Sequence, residues 1–299
     1  MLDVRRLRVL RELAARGTIA ATADALGYTA PAVSQQLAAL EREAGVELLE
    51  RDGRRRRLTP AGEELVARTE GILRELEAAE AAIERTTTQV AGVLRCAAFA
   101  SAHRALLPRA IAQLTRRHPD LRVTTRDLEP EDSLPKLKLG ELDVALAQEY
   151  AFAPTPDDPA LERTDLLEDE VRLALPADHP LADAAEVDVA ALEAEPWIAG
   201  KVGSFCHLVV VHSAHQAGYE PRITHTTNDF QVSYAIVAAG AGVGLVPELA
   251  GPPPPGVVVR AVAGAPPYRR IYAAVRAGSA ERPAIAAMLE ALVRHPSNV

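Results

Sequence analysis

Arg51-Asp-Gly-Arg-Arg-Arg-Arg57 places five arginines within seven residues around one glycine. Guanidinium groups at that density can neutralise neighbouring phosphates of a nucleic-acid backbone, and a central glycine suits a tight hairpin. Leu48-Leu49 before the run and Leu58 after it would anchor such a hairpin in a core. A charge run alone is usually a solvated face, so its neighbours decide its meaning. Upstream, Pro31-Ala32-Val33-Ser34-Gln35 opens a segment whose Ser and Gln suit base edges and phosphates, while Ala32 can touch a thymine methyl.

Other groupings carry less. His207, His212, His215 and His225 cluster near Cys206, but His212-x-x-His215 without a further ligand is a weak metal signature. Cys96 and Cys206 make no disulfide framework, and buried packing is the plainer reading of Cys96. Gly240-Ala-Gly-Val-Gly244 follows a predicted helix and precedes a predicted strand, the reverse of the order that pyrophosphate binding needs. Neither a Gly-x-Ser-x-Gly elbow nor a phosphate loop occurs. The expectation is no catalytic residue, no metal, no cofactor and no enzyme activity.

Charge is distributed unevenly. The 299 residues carry a net −8, yet residues 1–57 are net +3 and the remainder net −11. A basic end on an acidic body points to one DNA-facing module. With 4% aromatic residues the cores must be built from Leu, Val, Ile and Ala. No apolar run approaches the roughly 20 residues that span a bilayer, and the first residues are studded with Arg5, Arg6, Arg8 and Arg11 rather than built as a leader. A soluble, cytoplasmic chain with no membrane partner is expected.

The elements that must position these residues follow from spacing. Leu7, Leu10 and Ala14 define a first helix stopped by Gly17; Thr18 caps a second over Ile19–Leu26, stopped by Gly27. A third helix opens near Ala30 with Pro31 in its first turn, buries Val33, Leu37, Leu40 and Ala44, and ends at Gly45. Two short helices around a Gly-containing turn form a helix-turn-helix, and the arginine hairpin one step later reads as a wing. From Thr59 to about Thr88, Leu65, Ile72 and Ala79 with Thr69, Leu76 and Ile83 make an a/d seam. Such a helix either lies on its own C-terminal domain or pairs with a second chain. Pairing is favoured because a span of roughly 45 Å is too long and too exposed on one seam for a lone helix. A dimer also suits DNA, since two-fold symmetry reads a palindromic site.

The stretches Ala20-Ala-Thr-Ala-Asp-Ala-Leu-Gly, Pro31-Ala-Val-Ser-Gln-Gln-Leu, Leu40-Glu41, Gly45, Leu48-Leu49-Glu-Arg51 and Leu58-Thr59-Pro-Ala-Gly62 together resemble the N-terminal signature of LysR-type transcription regulators. The resemblance implies that Thr29, Pro31, Ala32, Ser34 and Gln35 face the major groove and that Arg51, Arg54 and Arg55 serve the wing. The family usually places Gln before the helix-opening proline, where this chain has Ala30, so a base contact is expected to be lost. The resemblance also implies double-stranded DNA with an interrupted palindromic operator as partner, a small-molecule effector, and a homodimer assembling further into a homotetramer.

Beyond residue 90, strand-like runs at Val93–Ala100, Leu121–Asp127 and Asp143–Ala147 alternate with helical patterns up to His118 and over Leu134–Gly140. That alternation argues for parallel α/β architecture. A Pro/Asp-rich break at Ala153–Pro159 precedes a second series from Glu170, with a helix from Ser204 to Gly218, a strand at Arg222–Thr226, a helix from Asn228, a strand at Gly244–Val246, a strand at Ile271–Val275 and a last helix over Arg282–Arg294. The landmarks Leu106-Leu-Pro108, His118-Pro119, Gly140-Glu-Leu-Asp143 and Ala238-Ala-Gly-Ala-Gly-Val-Gly-Leu-Val-Pro247 resemble the effector-binding domain of the same family, itself similar to periplasmic binding proteins. The expected organisation is a winged helix-turn-helix over residues 1–58, a linker helix over 59–88 and a two-lobed α/β domain over 91–299. Lobe I takes about 91–150 and 266–299, and lobe II about 165–262. Helix N-termini at the cleft offer N–H groups to polar ligand groups. That nominates Ala100, Ser101 and His103; Lys201, Val202, Gly203, Ser204 and Phe205; and Thr227, Asn228 and Asp229. Ser101, Ser204 and Asn228 could equally be helix caps. Lys201 is the sharpest candidate for an anionic ligand group. A competing reading is a small-molecule binding protein whose N-terminal helices serve dimerisation only.

Overall fold

The computed structural model describes residues 1–52, 55–86 and 89–293, with side chains of 51, 52 and 55 outside the description. By internal contacts the chain forms two units, Met1–Thr86 with Arg276–Arg282, and Thr87–Val275 with Pro283–Val299.

In the first unit, helices α1 (Val4–Arg16), α2 (Ile19–Leu26) and α3 (Ala30–Ala44) are each opened by a side-chain cap, from Asp3, Thr18 and Thr29, and closed at Gly17, Gly27 and Gly45. Their core is Leu7, Leu10, Leu13, Val33, Leu37 and Leu40, with Leu48 and Leu49 beneath the hairpin. Ala14 is exposed, and Leu13 fills the place that the spacing gave to it. Strands β1 (Leu49–Asp52) and β2 (Arg55–Leu58) pair antiparallel, with Leu49 opposite Leu58. Glu41 on α3 holds the start of this hairpin, because its Oε1 accepts from the backbone N–H of Leu48 at 3.0 Å and of Leu49 at 3.1 Å.

Helix α4 (Pro60–Glu84) follows, capped by Thr59, whose Oγ1 accepts from Gly62 N at 3.1 Å and donates to Glu47 O at 2.8 Å. A side chain at Gly62 would put its Cβ 2.3 Å from Leu48 O, so only glycine lets the helix start this close to the hairpin. Besides Gly62, the α4 positions buried inside the unit are Thr69, Leu73, Glu77 and Ala81, spaced by four. Of the seam read from the sequence, Thr69 turns inward and donates to Leu65 O, whereas Ile72, Leu76 and Ile83 are exposed. Arg276–Arg282 return to this helix: Arg276 Nε lies 2.7 Å from Glu77 Oε1, Arg282 pairs with Glu84, and Arg85 pairs with Glu281.

The second unit is a mixed α/β domain on a ten-stranded sheet. Strand β3 (Gly92–Ala98) leads into α5 (Ala100–Ala105) and α6 (Leu107–Arg117), which break at Leu106 with Pro108 in the next first turn. Then come β4 (Leu121–Asp127), α7 (Pro130–Lys138), β5 (Val144–Tyr150) and the 16-residue β6 (Leu161–Pro176). A two-residue β7 (Glu186–Val187) and β8 (Pro196–Ala199) precede α8 (Phe205–Gln216). The chain continues through β9 (Arg222–Thr226), α9 (Phe230–Ala238), β10 (Val243–Pro247), β11 (Val257–Val262), β12 (Tyr268–Arg276) and α10 (Pro283–Val293).

Strand order is β4-β3-β5-β12-β6-β10-β8-β9, with β11 on β6 and β7. β3 runs parallel to β4 and β5, and β8 parallel to β9 and β10. β12 is antiparallel to β5, and β6 is antiparallel to β10 and β11, so the purely parallel sheet that the alternation suggested is a mixed one. The antiparallel strands are those by which the chain passes between the two halves, once after β5 and once after β11. One half packs Ala97, Leu137, Leu142 and Tyr272 together; the other is built around the fully buried Trp197 with Leu173, Val210 and Val243.

Candidate nucleic-acid interface and effector cleft

On α3, Val33, Leu37 and Leu40 point into the core, which leaves the opposite face to solvent. Pro31 and Gln35 are exposed there, Ala32 and Ser34 are half-buried, and Thr29 caps the helix with Oγ1 accepting from Ala32 N. These five residues thus share the outward N-terminal part of one helix. Of the wing arginines, Arg54 lies outside the described residues, and the Arg51 and Arg55 side chains are likewise not described; their backbones are in the paired strands. Arg57 is exposed and Arg56 half-buried. Arg6 ties α1 to α3, pairing with Glu43 and donating from Nε to Gln36 at 3.2 Å, while within α1 Arg11 and Arg16 share the buried Glu12.

In the second unit the effector candidates fall on three helix starts. Ser101, in the first turn of α5, is buried and its Oγ accepts from Arg269 Nη2 at 2.9 Å. Ala100 beside it is half-buried, and His103 Nε2 lies 3.0 Å from Thr125 Oγ1. Ser204 caps α8, its Oγ accepting from His207 N. Lys201, Val202 and Gly203 are exposed in the turn before it, and Phe205 leans on Tyr150. Asn228 draws this turn together, because its Oδ1 accepts from Lys201 N at 2.9 Å and from Ser204 Oγ at 3.2 Å. The cap of α9 is Asp229 rather than Asn228, and Thr227 Oγ1 accepts from Asp229 N at 3.1 Å.

Four residues that the sequence did not single out lie among these. Arg269, fully buried on β12, donates through Nε and Nη2 to Asp169 Oδ2 at 2.9 and 2.7 Å, through Nη1 to Gln148 Oε1, and through Nη2 to Ser101. Its guanidinium also lies 5.1 Å from the Phe99 ring and 5.8 Å from the Phe230 ring. Buried charge is tolerated here because four hydrogen bonds, three of them to Asp169 and Gln148, and two aromatic rings surround the guanidinium. Glu129, just before α7, is hydrogen-bonded by Asn228. Burial, then repulsion from Glu131 and Asp127, pushes its carboxyl up to about 7, against the opposing pull of Arg269. No local pattern marks Glu129 or Arg269, since their partners are distant in sequence.

The histidines do not converge. His212 stacks on Phe152 at 3.8 Å, His215 pairs with Glu220, and no group of three or more His, Cys, Asp or Glu among the described residues could hold a metal. Burial pushes the thiols of Cys96 and Cys206 up to about 12.

Comparison with known proteins settles the ancestry. Residues 87–297 match the LysR substrate binding domain, and residues 4–63 match the bacterial regulatory helix-turn-helix protein family of lysR type. The chain belongs to the LysR family. It is a LysR-type transcriptional regulator with an effector-binding domain, so the reading in which the N-terminal helices serve dimerisation alone is not favoured. Among curated relatives, the Hca operon transcriptional activator HcaR of Escherichia coli is 29% identical over 249 residues, 82% of each chain. A probable hydrogen peroxide-inducible genes activator of Mycobacterium avium is 29% identical over 247 residues, 82% of this chain and 78% of that one. The LysR family regulator CbnR shares 25% identity and superposes with a TM-score of 0.56 over 97% of this chain and 100% of that one. A full-length OxyR from Pseudomonas aeruginosa has the same fold, with a TM-score of 0.66 at 24% identity over 99% and 96% of the two chains. Among the described residues of this LysR protein, no helix is long and apolar enough to cross a membrane.

Proposed function

We propose that two copies of this chain, paired through α4, read the halves of an interrupted palindromic operator. In this reading Thr29, Pro31, Ala32, Ser34 and Gln35 face the major groove, and Arg51, Arg54 and Arg55 of the wing meet the backbone. The domains are 1–58 for DNA, 59–88 for pairing and 91–299 for the effector. Association of dimers into a tetramer would let the effector domain change the spacing of half-sites. The observation that carries the reading is the α3 face: Gln35 and Pro31 stand exposed beside a basic hairpin while every large apolar residue of that helix is buried.

A small-molecule effector binds between the lobes, about 91–150 with 266–299 and about 165–262, against Ala100, Ser101, His103, Lys201–Phe205, Thr227 and Asn228. The capping and bridging of Ser204 and Asn228 support this, since they fix two helix starts and the Lys201 turn in one constellation. The buried thiols speak against thiol-based sensing, because at a pKa of about 12 too little thiolate forms to react.

The test is binding of the purified full chain to the intergenic DNA beside its own gene, against scrambled DNA of equal length, across a salt series. Preferential binding that Gln35→Ala and Arg54→Ala each weaken by roughly tenfold would support the reading. Absence of binding at low salt would overturn it.

A further inference from the structure

Helix α8 presents its N-terminus to the proposed effector cleft, and its last turns wall a separate cavity of about 370 Å³. At 1.5 Å per residue the twelve residues of α8 separate its two ends by roughly 18 Å. Phe152 just after β5 lines the cavity, as do Asp188, His212 and Gln216 on the α8 side, and Pro267 and Tyr268 at the start of β12. None of the residues nominated for the effector touches it. Both passages of the chain between the lobes therefore contribute to its walls.

Three features define its chemistry. The walls carry aromatic groups: the Phe152 ring stacks on His212 at 3.8 Å and on Tyr150 at 5.3 Å, which leaves its edge to the cavity, and Tyr268 lines it as well. The polar groups are electron-rich. Asp188 accepts through Oδ1 from Ala190 N at 2.9 Å and makes no ion pair among the described residues. The C-terminal end of α8, at Gln216 and Ala217, adds the negative pole of a twelve-residue helix. Finally, among the described residues no lysine or arginine lines the cavity, although the Arg270 guanidinium lies 5.9 Å from the Tyr268 ring. Burial, aided by His215, lowers the His212 pKa and favours its neutral ring. The volume suits one or two fused rings.

We propose that this cavity is a second ligand site, at the hinge, for a planar aromatic cation such as an aryl amidinium or a protonated heteroaromatic amine. The ring packs against the edge of Phe152 and against Tyr268, and the cationic end is held by the free oxygen of Asp188. Because both interlobe passages form the walls, occupancy favours whichever lobe angle fits the ligand better. The site stands independently of the effector cleft.

The test uses benzamidine, with benzamide as its neutral and benzoate as its anionic counterpart, titrated into the full-length protein by calorimetry or ligand-observed NMR. Benzamidine should bind most tightly and benzoate least. Asp188→Asn keeps the oxygen that caps Ala190 and should weaken benzamidine about tenfold while sparing benzamide, since it removes one charge-assisted contact. Phe152→Ala should weaken both. Asn228→Ala, in the cleft, should leave benzamidine binding unchanged. Absent benzamidine binding, equal affinity for benzoate, indifference to Asp188→Asn, or sensitivity to Asn228→Ala would each overturn the proposal.

Discussion

Arg269 Nη2 donates to Ser101 Oγ across 2.9 Å, which ties the second passage between the lobes to the first turn of α5. The same guanidinium is anchored on Asp169 of β6 and Gln148 of β5, so one buried side chain joins both passages and a helix start.

Breaking that knot should cost much more than a surface substitution. Arg269→Met or Asp169→Asn leaves an uncompensated buried polar or charged group, for which about 3–5 kcal/mol is the usual loss. The unfolding transition of the effector domain, followed by urea denaturation, should shift accordingly. The double variant should lose less than the sum of the two single losses; additive losses would mean that the pair is not coupled.

Gly62→Ala should disrupt the DNA-binding unit, because the added Cβ would meet the Leu48 carbonyl oxygen at 2.3 Å. Backbone cannot yield as a flexible side chain does, so a loss of about 2 kcal/mol is expected. Differential scanning calorimetry should show a lowered transition, and DNA affinity should fall with it.

Glu129 should make the effector domain sensitive to pH. Its carboxyl is raised to about 7 in the folded chain, chiefly by burial, while an unfolded glutamate titrates near its ordinary value. Folding therefore favours the protonated form: the contribution is complete below the unfolded pKa and lost as pH rises through about 7. Glu131, Asp127, Arg269 and Asn228 face it, as do Tyr150 and Cys206. Melting temperature should fall between pH 5 and 8 in the native protein, and Glu129→Gln should flatten that fall. Identical profiles for the two would assign the dependence elsewhere.

Ile72, Leu76 and Ile83 stand exposed along α4 in the single chain. If that stripe is the pairing seam, Ile72→Arg should raise the dimer dissociation constant at least about tenfold, through lost burial and like-charge contact across a two-fold axis. Sedimentation equilibrium measures this directly, and unchanged self-association would exclude α4 as the seam.

The first sixty residues were legible because their signals are local. Thr18 and Gly17, Gly27 and Gly45 act within a turn of themselves, and the structure uses each where the pattern put it; Thr29, read only as facing DNA, also caps its helix. Legibility fell where neighbours compete or partners are remote. Asn228 and Asp229 are both good caps, and the cap went to Asp229 while Asn228 bridges the Lys201 turn. Helix α7 starts at Pro130, not Leu134, with Pro135 tolerated inside it. The early part of β6, Leu161–Glu168, is half-buried or exposed and so lacks the apolar run that reveals a strand. Arg269 reads as an ordinary surface residue in sequence, since its partners are 100, 121 and 168 residues away.

The two N–H groups that Glu41 collects from Leu48 and Leu49 fix the hairpin to the helix that carries Gln35. Helix and hairpin then behave as the jaws of a caliper with one setting. In the proposed reading a duplex must present groove and backbone at that fixed gauge, so each half-site is accepted or refused as a whole. Any adjustment an effector makes would then be left to the distance and angle between two such calipers.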